Sequence, residues 1–222
     1  MLNKLWFWML IFLLVMFFFL YSAPPPQEGT FSIYYREEEV GYERYVWETH
    51  EKGYTLRVEG QLTKPVDVEI EELSIQVNKS FIPTGYYFKG SISGVEKEIE
   101  STITDGYVEN KIEVQGQKQR ETTQIKRNAF LLPNPLFSPY MILAKKYDCH
   151  LQKERRASAY IIPQTETQIT IKPIEDNPCS LKVLMNHTEI RLRTNSRGSL
   201  KSIHIPSQYL KVTRSNLGGP AR

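Results

Sequence analysis

From Thr30 to Arg214 the chain is written mostly in short segments that alternate apolar and polar residues, separated by Gly, Asp, Asn and Pro. A period of two puts successive side chains on opposite faces of an extended strand, so the pattern commits the chain to antiparallel sheet with one face buried. In the segment Tyr54 to Thr63, Tyr54, Leu56 and Val58 mark one face and Thr55, Arg57 and Glu59 the other. Val66 to Val77 continues in the same way, with a phase slip at Glu71-Glu72 that a β-bulge accommodates. Val95 to Thr104 and Tyr107 to Gln115 flank Asp105-Gly106, a two-residue hairpin signal because that turn needs positive φ. Further strands are expected over Thr30–Arg36, Val40–Thr49, Tyr86–Ile92 and Glu121–Lys126. Six more fall in the second half, from Ala157–Ile162 to Tyr209–Arg214.

The alternation stops between Asn128 and Tyr147. Here Ser138 can cap a helix and Pro139 can take its first position, where a missing N–H costs nothing. Tyr140, Leu143, Ala144 and Tyr147 recur at helical spacing, and Lys145 and Lys146 suit the carboxyl end of the dipole. About a dozen strands and one helix predict a mainly β domain, one large antiparallel sheet that must curl. A half-barrel with the helix in its mouth and a nearly closed barrel are the two forms expected. No period of about 20 to 50 residues repeats, which disfavours a propeller or solenoid.

Ahead of this domain, residues 5–21 read LWFWMLIFLLVMFFFLY without a charge. Extended to Ala23 the run spans roughly 28 Å as a helix, enough to cross a bilayer. Lys4 biases its amino end toward the cytoplasm. An uncleaved single-pass anchor and a cleaved signal peptide stay open; the signal needs a small residue where Tyr21 stands, and both export residues 24 onward. The expected organisation is an anchor over 1–23, a proline-stiffened linker over 24–28, a β domain over 29–214 and a tail over 215–222. The expected location is a bacterial cell envelope, with a single-pass inner-membrane anchor and the domain in the periplasm, or a secreted or periplasmic protein where the leader is cleaved.

The formal charge of +3 conceals an asymmetry. Residues 24–110 carry 17 Asp/Glu against 8 Lys/Arg, and residues 111–222 carry 8 against 19. Acidic strands of the first half pairing with basic strands of the second would explain it; a basic face directed at anionic headgroups is the other reading. Nucleic acid is not expected as a partner, because an exported domain rarely meets it and the basic residues are not interleaved with aromatic stacking platforms. His50, His150, His187 and His204 are isolated and lack metal-ligand spacing. No nucleophile elbow or phosphate-binding glycine loop occurs, and Glu96, Glu98 and Glu100 read as a solvated strand face. The expectation is therefore a non-enzymatic protein without cofactor or metal.

Cys149 and Cys179 are the only cysteines. In an oxidising compartment an even count favours a disulfide, tying the region after the helix to Asn177-Pro178; two unpaired buried thiols are the alternative.

Gly29-Thr-Phe31-Ser-Ile33-Tyr34, the return Val40-Gly41-Tyr-Glu43-Arg-Tyr45 and the stretch from Leu132 to Asp148 resemble a family of exported bacterial β proteins of unknown function, found in acidobacteria among others. Ile162-Pro163-Gln164 is similar to that family's strand-ending Pro-Gln. The resemblance implies a curved sheet around a helix, similar in outline to periplasmic lipid- or lipoprotein-carrier half-barrels, and carries over no catalytic residue. The long leader and the two cysteines depart from it. The expected function is binding of a lipid, glycolipid or acylated partner in a concave apolar face, with Phe137, Tyr140, Met141 and Leu143 near the mouth. The alternative is a membrane-anchored interaction module that presents a sheet edge or charged face to another envelope protein.

Overall fold

A computed structural model describes residues 25–147, 149, 151–163, 165–174 and 177–215. The anchor or signal over 1–23, His150, and the tail beyond Ser215 lie outside the described residues. Among the described residues no helix is long and apolar enough to cross a membrane.

The protein is mainly β. Eight strands run first: β1 (Gln27–Tyr35), β2 (Glu38–His50), β3 (Gly53–Leu62), β4 (Val68–Asn78), β5 (Pro83–Ile92), β6 (Val95–Thr104), β7 (Tyr107–Val114) and β8 (Gln117–Gln124). A two-residue strand β9 (Phe130–Leu131) leads into the helix α1 (Tyr140–Tyr147). Then follow β10 (Arg155–Ile161), β11 (Thr165–Ile174), β12 (Asn177–Met185), β13 (Thr188–Thr194), β14 (Leu200–Ile205) and β15 (Leu210–Ser215). All belong to one 15-stranded sheet in the order β8-β7-β6-β5-β4-β3-β2-β1-β15-β14-β13-β12-β11-β10-β9. Two meanders are thus joined at the centre, where β1 pairs β15 from Thr30↔Ser215 to Tyr35↔Leu210. The ladder is antiparallel apart from β9 on β10. It is not closed: β8 and β9 are its two edges, so the nearly closed barrel is not realised as a hydrogen-bonded ring.

Local chemistry explains the turns. Asp105 and Gly106 both take positive φ (51° and 86°), as the two-residue hairpin requires. Ser93-Gly94 and Gln115-Gly116 do the same, and the second of these starts β8 at Gln117, earlier than the alternation predicted. The register of β4 on β5 shifts between Ile70 and Glu72, the bulge anticipated at Glu71-Glu72. Gly29 stands where a Cβ would lie 2.6 Å from the Tyr45 hydroxyl, so the absent side chain lets that ring cross β1. There it stacks on Phe31 with centroids 5.1 Å apart.

One face of the sheet is buried in a single apolar cluster that takes in Phe31, Leu56, Ile75, Phe88, Ile112, Ile171, Val183 and Ile203. The segment from Ala129 to Ala144 lies in the same cluster and fills much of it. The helix is an eight-residue element with Tyr140, Met141, Ile142, Leu143 and Ala144 all buried, so its first turn is enclosed rather than amphipathic. Ser138 does not cap it through its hydroxyl as expected; its carbonyl accepts from the Met141 N–H and its hydroxyl is directed elsewhere.

The ion pairs follow the expected scheme only in part. Among the described residues Lys111–Glu100 and Arg120–Glu109 do join the basic stretch to the acidic one across β6, β7 and β8, but the other pairs stay within one stretch (Arg57–Glu48, Lys89–Glu71, Lys172–Glu154, Lys182–Glu189, Arg191–Glu189), and none crosses from the first eight strands to the second meander. The acidic first meander and the basic second one are therefore joined by backbone and apolar contact rather than by opposite charge, because their meeting strands, β1 and β15, face each other with few acids.

Cys149 and Cys179 form a disulfide across a separation of 30 residues. Such bonds persist in oxidising compartments, which fits an extracytoplasmic location.

Candidate functional site

Two buried polar groups act as junctions, one fixing the irregular segment and the other tying the ends of the ladder together. The first is Glu43 on β2, 2% exposed and in the inward phase with Tyr45 and Trp47. Its Oε1 accepts the Phe137 N–H at 2.8 Å, and its Oε2 accepts both the N–H (2.5 Å) and the hydroxyl of Ser138. Burial pushes the Glu43 carboxyl above its ordinary range, against the lowering effect of these three donors. A carboxyl group before the first turn of α1 thus pins the chain's entry into the helix to the centre of the sheet.

The second group is Asn110 on β7, fully buried. It accepts from the Ser101 hydroxyl (2.6 Å) and donates toward Glu121 Oε1, Tyr160 Oη and the Pro163 carbonyl, each at 3.1 Å. Tyr160 in turn donates to Pro163. The β6–β8 end of the ladder is in this way clasped to β10 near the opposite end, without a backbone ladder between them.

At the end of the strands carrying the β3–β4, β12–β13 and β14–β15 turns lies a cavity of about 290 Å³. Leu62, Val66, Leu132, Ile161, Ile190, Ile205 and Leu210 form apolar walls, and Pro133-Asn134-Pro135 crosses its rim. Phe137 and Tyr140 line it; Met141 and Leu143 do not, being buried in the core at 3% and 0% exposure. The four residues expected near the mouth are therefore split by the helix, two facing the cavity and two the packed interior. Burial alone raises the Tyr140 phenol well above its ordinary value, so it stays a neutral hydroxyl on the wall. The buried face of the sheet is otherwise covered by the chain itself, and the remaining space is an end cavity rather than a continuous trough.

A wider, shallow shelf lies on the exposed face beyond the β14–β15 turn, lined by Tyr34, Arg36, Glu37, His204, Tyr209 and Lys211 among others. Cavity and shelf share Leu210 and flank the same turn, residues 206–209.

Among the described residues no three His, Cys, Asp or Glu gather in a metal-binding group. His50 bonds to Thr55 at 3.0 Å, beside Glu48. Glu98 pairs with Tyr87 and Glu100 with Lys111 on the exposed face of β6. Comparison with protein-family models, with curated proteins and with solved structures returns no match.

Glu43 and Asn110 carry the architecture and were not singled out as buried from sequence. The signal was present: Asn110 falls in the inward phase of Val108-x-Asn110-x-Ile112, and Glu43 in that of Glu43-x-Tyr45-x-Trp47. A polar residue in the apolar phase of a strand marks a buried hydrogen-bonding junction.

Proposed function

We propose that this is a non-enzymatic envelope protein, tethered through residues 1–23, whose end cavity takes one apolar chain of a lipid, glycolipid or acylated partner. The observation that carries the reading is the apolar cavity of about 290 Å³ bordered by Phe137 and Tyr140, close to the smallest pockets that hold organic ligands, roughly 300 Å³. At about 0.8 kcal/mol per buried methylene, eight methylenes would contribute roughly 6 kcal/mol, an affinity in the tens of micromolar. A curved, half-barrel course of the sheet belongs to this reading. A flat sheet of this order would separate β8 from β9 by about 65 Å at ~4.8 Å per strand. The chain from Gln124 to Phe130 reaches roughly 20 Å, and Asn110 touches Tyr160 across the same gap.

The test is lipid extraction and native mass spectrometry of the exported domain, with titration of an environment-sensitive apolar dye. A bound chain, or dye binding that Met185→Trp at the rim abolishes, is expected; an empty domain that binds no dye would remove the reading. The interaction-module alternative draws on the filled interior, and crosslinking in cells that returned only the monomer would count against it.

A further inference from the structure

The second meander spends its exposed face on an arrangement that costs stability. Cross-strand registers align Lys172 with Lys182, Lys182 with Arg191, Arg191 with His204, and His204 with Lys211, one basic side chain on each of five adjacent strands. Like charges directly opposite each other are destabilising. Glu154 and Glu189 offset Lys172, Lys182 and Arg191, whereas His204 and Lys211 have no acid partner among the described residues. The row continues onto Tyr34 of β1 and so ends on the shelf.

The shelf is built as well as charged. Arg36 lies between two rings, its guanidinium carbon 5.3 Å from the Tyr35 centroid and 5.4 Å from that of Tyr209. Its backbone N–H donates to the Tyr209 carbonyl at 3.0 Å. Tyr209 is 63% exposed and held at φ 54°, a conformation that bulky residues adopt at a cost. An exposed aromatic in strained backbone beside an unpaired Arg, His and Lys makes a surface for an oxyanion attached to a hydrophobic or polyhydroxyl body. Glu37 is the single carboxylate on the shelf, which leaves it net positive.

We infer that the shelf of Arg36, His204 and Lys211 binds the phosphate-bearing headgroup of an amphiphile whose chain enters the end cavity. This rests on the cavity reading above, since the two sites are the opposite sides of the 206–209 turn and a single-chain phospholipid can straddle it. Arg36 supplies the planar fork for two phosphate oxygens, Lys211 a mobile point charge, and Tyr209 a face for the glycerol or sugar next to it. The source is a lipid headgroup rather than free phosphate, because exposed cations alone hold a small anion weakly against salt.

The test compares myristoyl lysophosphatidylglycerol with monomyristoylglycerol, which has the same chain but no phosphate, below their micellar concentrations, by calorimetry on the purified protein. The anionic lipid is expected to bind at least about tenfold tighter, with the ratio falling toward one in the Arg36→Gln/Lys211→Gln double variant and on raising the salt. Circular dichroism and the melting temperature of the variant show that it is folded; Lys211→Gln alone, which leaves the Arg36 stack intact, must lower the ratio part of the way. Equal binding of the two lipids would overturn the headgroup site and leave the cavity reading standing. Binding of neither would overturn both. Inorganic phosphate that bound by itself and displaced the anionic lipid at submillimolar concentration would make the shelf a free-anion site and overturn the inference.

Discussion

Replacing Glu43 with Ala removes the acceptor for three buried donors at once, the Phe137 and Ser138 N–H groups and the Ser138 hydroxyl. Each buried donor left without a partner costs about 1–3 kcal/mol, and water entering the vacated space can serve one of them. The expected loss is therefore about 3–5 kcal/mol, a large share of the stability of a domain this size. Glu43→Gln keeps one oxygen acceptor and turns an amide N–H₂ toward Ser138, whose N–H then faces another donor; about 1–2 kcal/mol is expected. Urea denaturation reads both, with the midpoint falling and the slope unchanged if the fold is retained. The pH dependence tests the cause. Desolvation holds the folded-state carboxyl above its ordinary value of 4.5 in spite of its three donors. The folded state thus keeps its proton to a higher pH than the unfolded chain does. The stability of the wild type relative to Glu43→Gln is then greatest below 4.5 and is lost as pH rises through the raised value. A wild type that instead lost stability relative to Gln on acidification toward pH 4.5 would mean that the donors outweigh burial. A loss under about 1 kcal/mol for Glu43→Ala would refute the pinning role outright.

Two further outcomes follow from other junctions. The Cys149→Ser/Cys179→Ser variant should lose roughly 3–4 kcal/mol in the chain-entropy account of a loop of about 30 residues, read as a fall in the denaturation midpoint; an unchanged midpoint would show that the bond constrains nothing. In a double-mutant cycle, Asn110→Ala and Tyr160→Phe should couple by about 1–2 kcal/mol, and additive losses would show that the two ends of the ladder are clasped by other contacts.

What was legible in the sequence was local. Period-two alternation located the strands within a few residues, Asp105-Gly106 named its own turn, and the doubled acids at Glu71-Glu72 marked a bulge. The same rule could not say which distant strands meet, because alternation assigns a residue to a face and not to a partner; the pairing of β1 with β15 has no signature within either strand. β9 escaped because two residues carry no period. The basic row is visible only once registers are known, since Lys172, Lys182, Arg191, His204 and Lys211 look like ordinary solvated positions in their separate strands. Phe137, Tyr140, Met141 and Leu143 were found as an apolar group, but which of them faces empty space depends on where Glu43 fixes the start of the helix.

Pairing Thr30 with Ser215 closes a circuit of about 185 residues at the middle of the sheet. Contacts so distant along the chain are slow to form, because their loop entropy is spent before they return anything. A chain emerging amino end first would present β1 with one edge unsatisfied until β15 arrived, a template for mispairing with a neighbouring chain. The topology therefore couples maturation to the arrival of β15: each meander can collapse as it emerges, while the whole acquires its central seam in a single late step. The same circuit makes the molecule suited to circular permutation, since a short peptide joining Gln27 to Ser215 would let new ends be opened at any exposed hairpin and would convert the slowest contact into a local one.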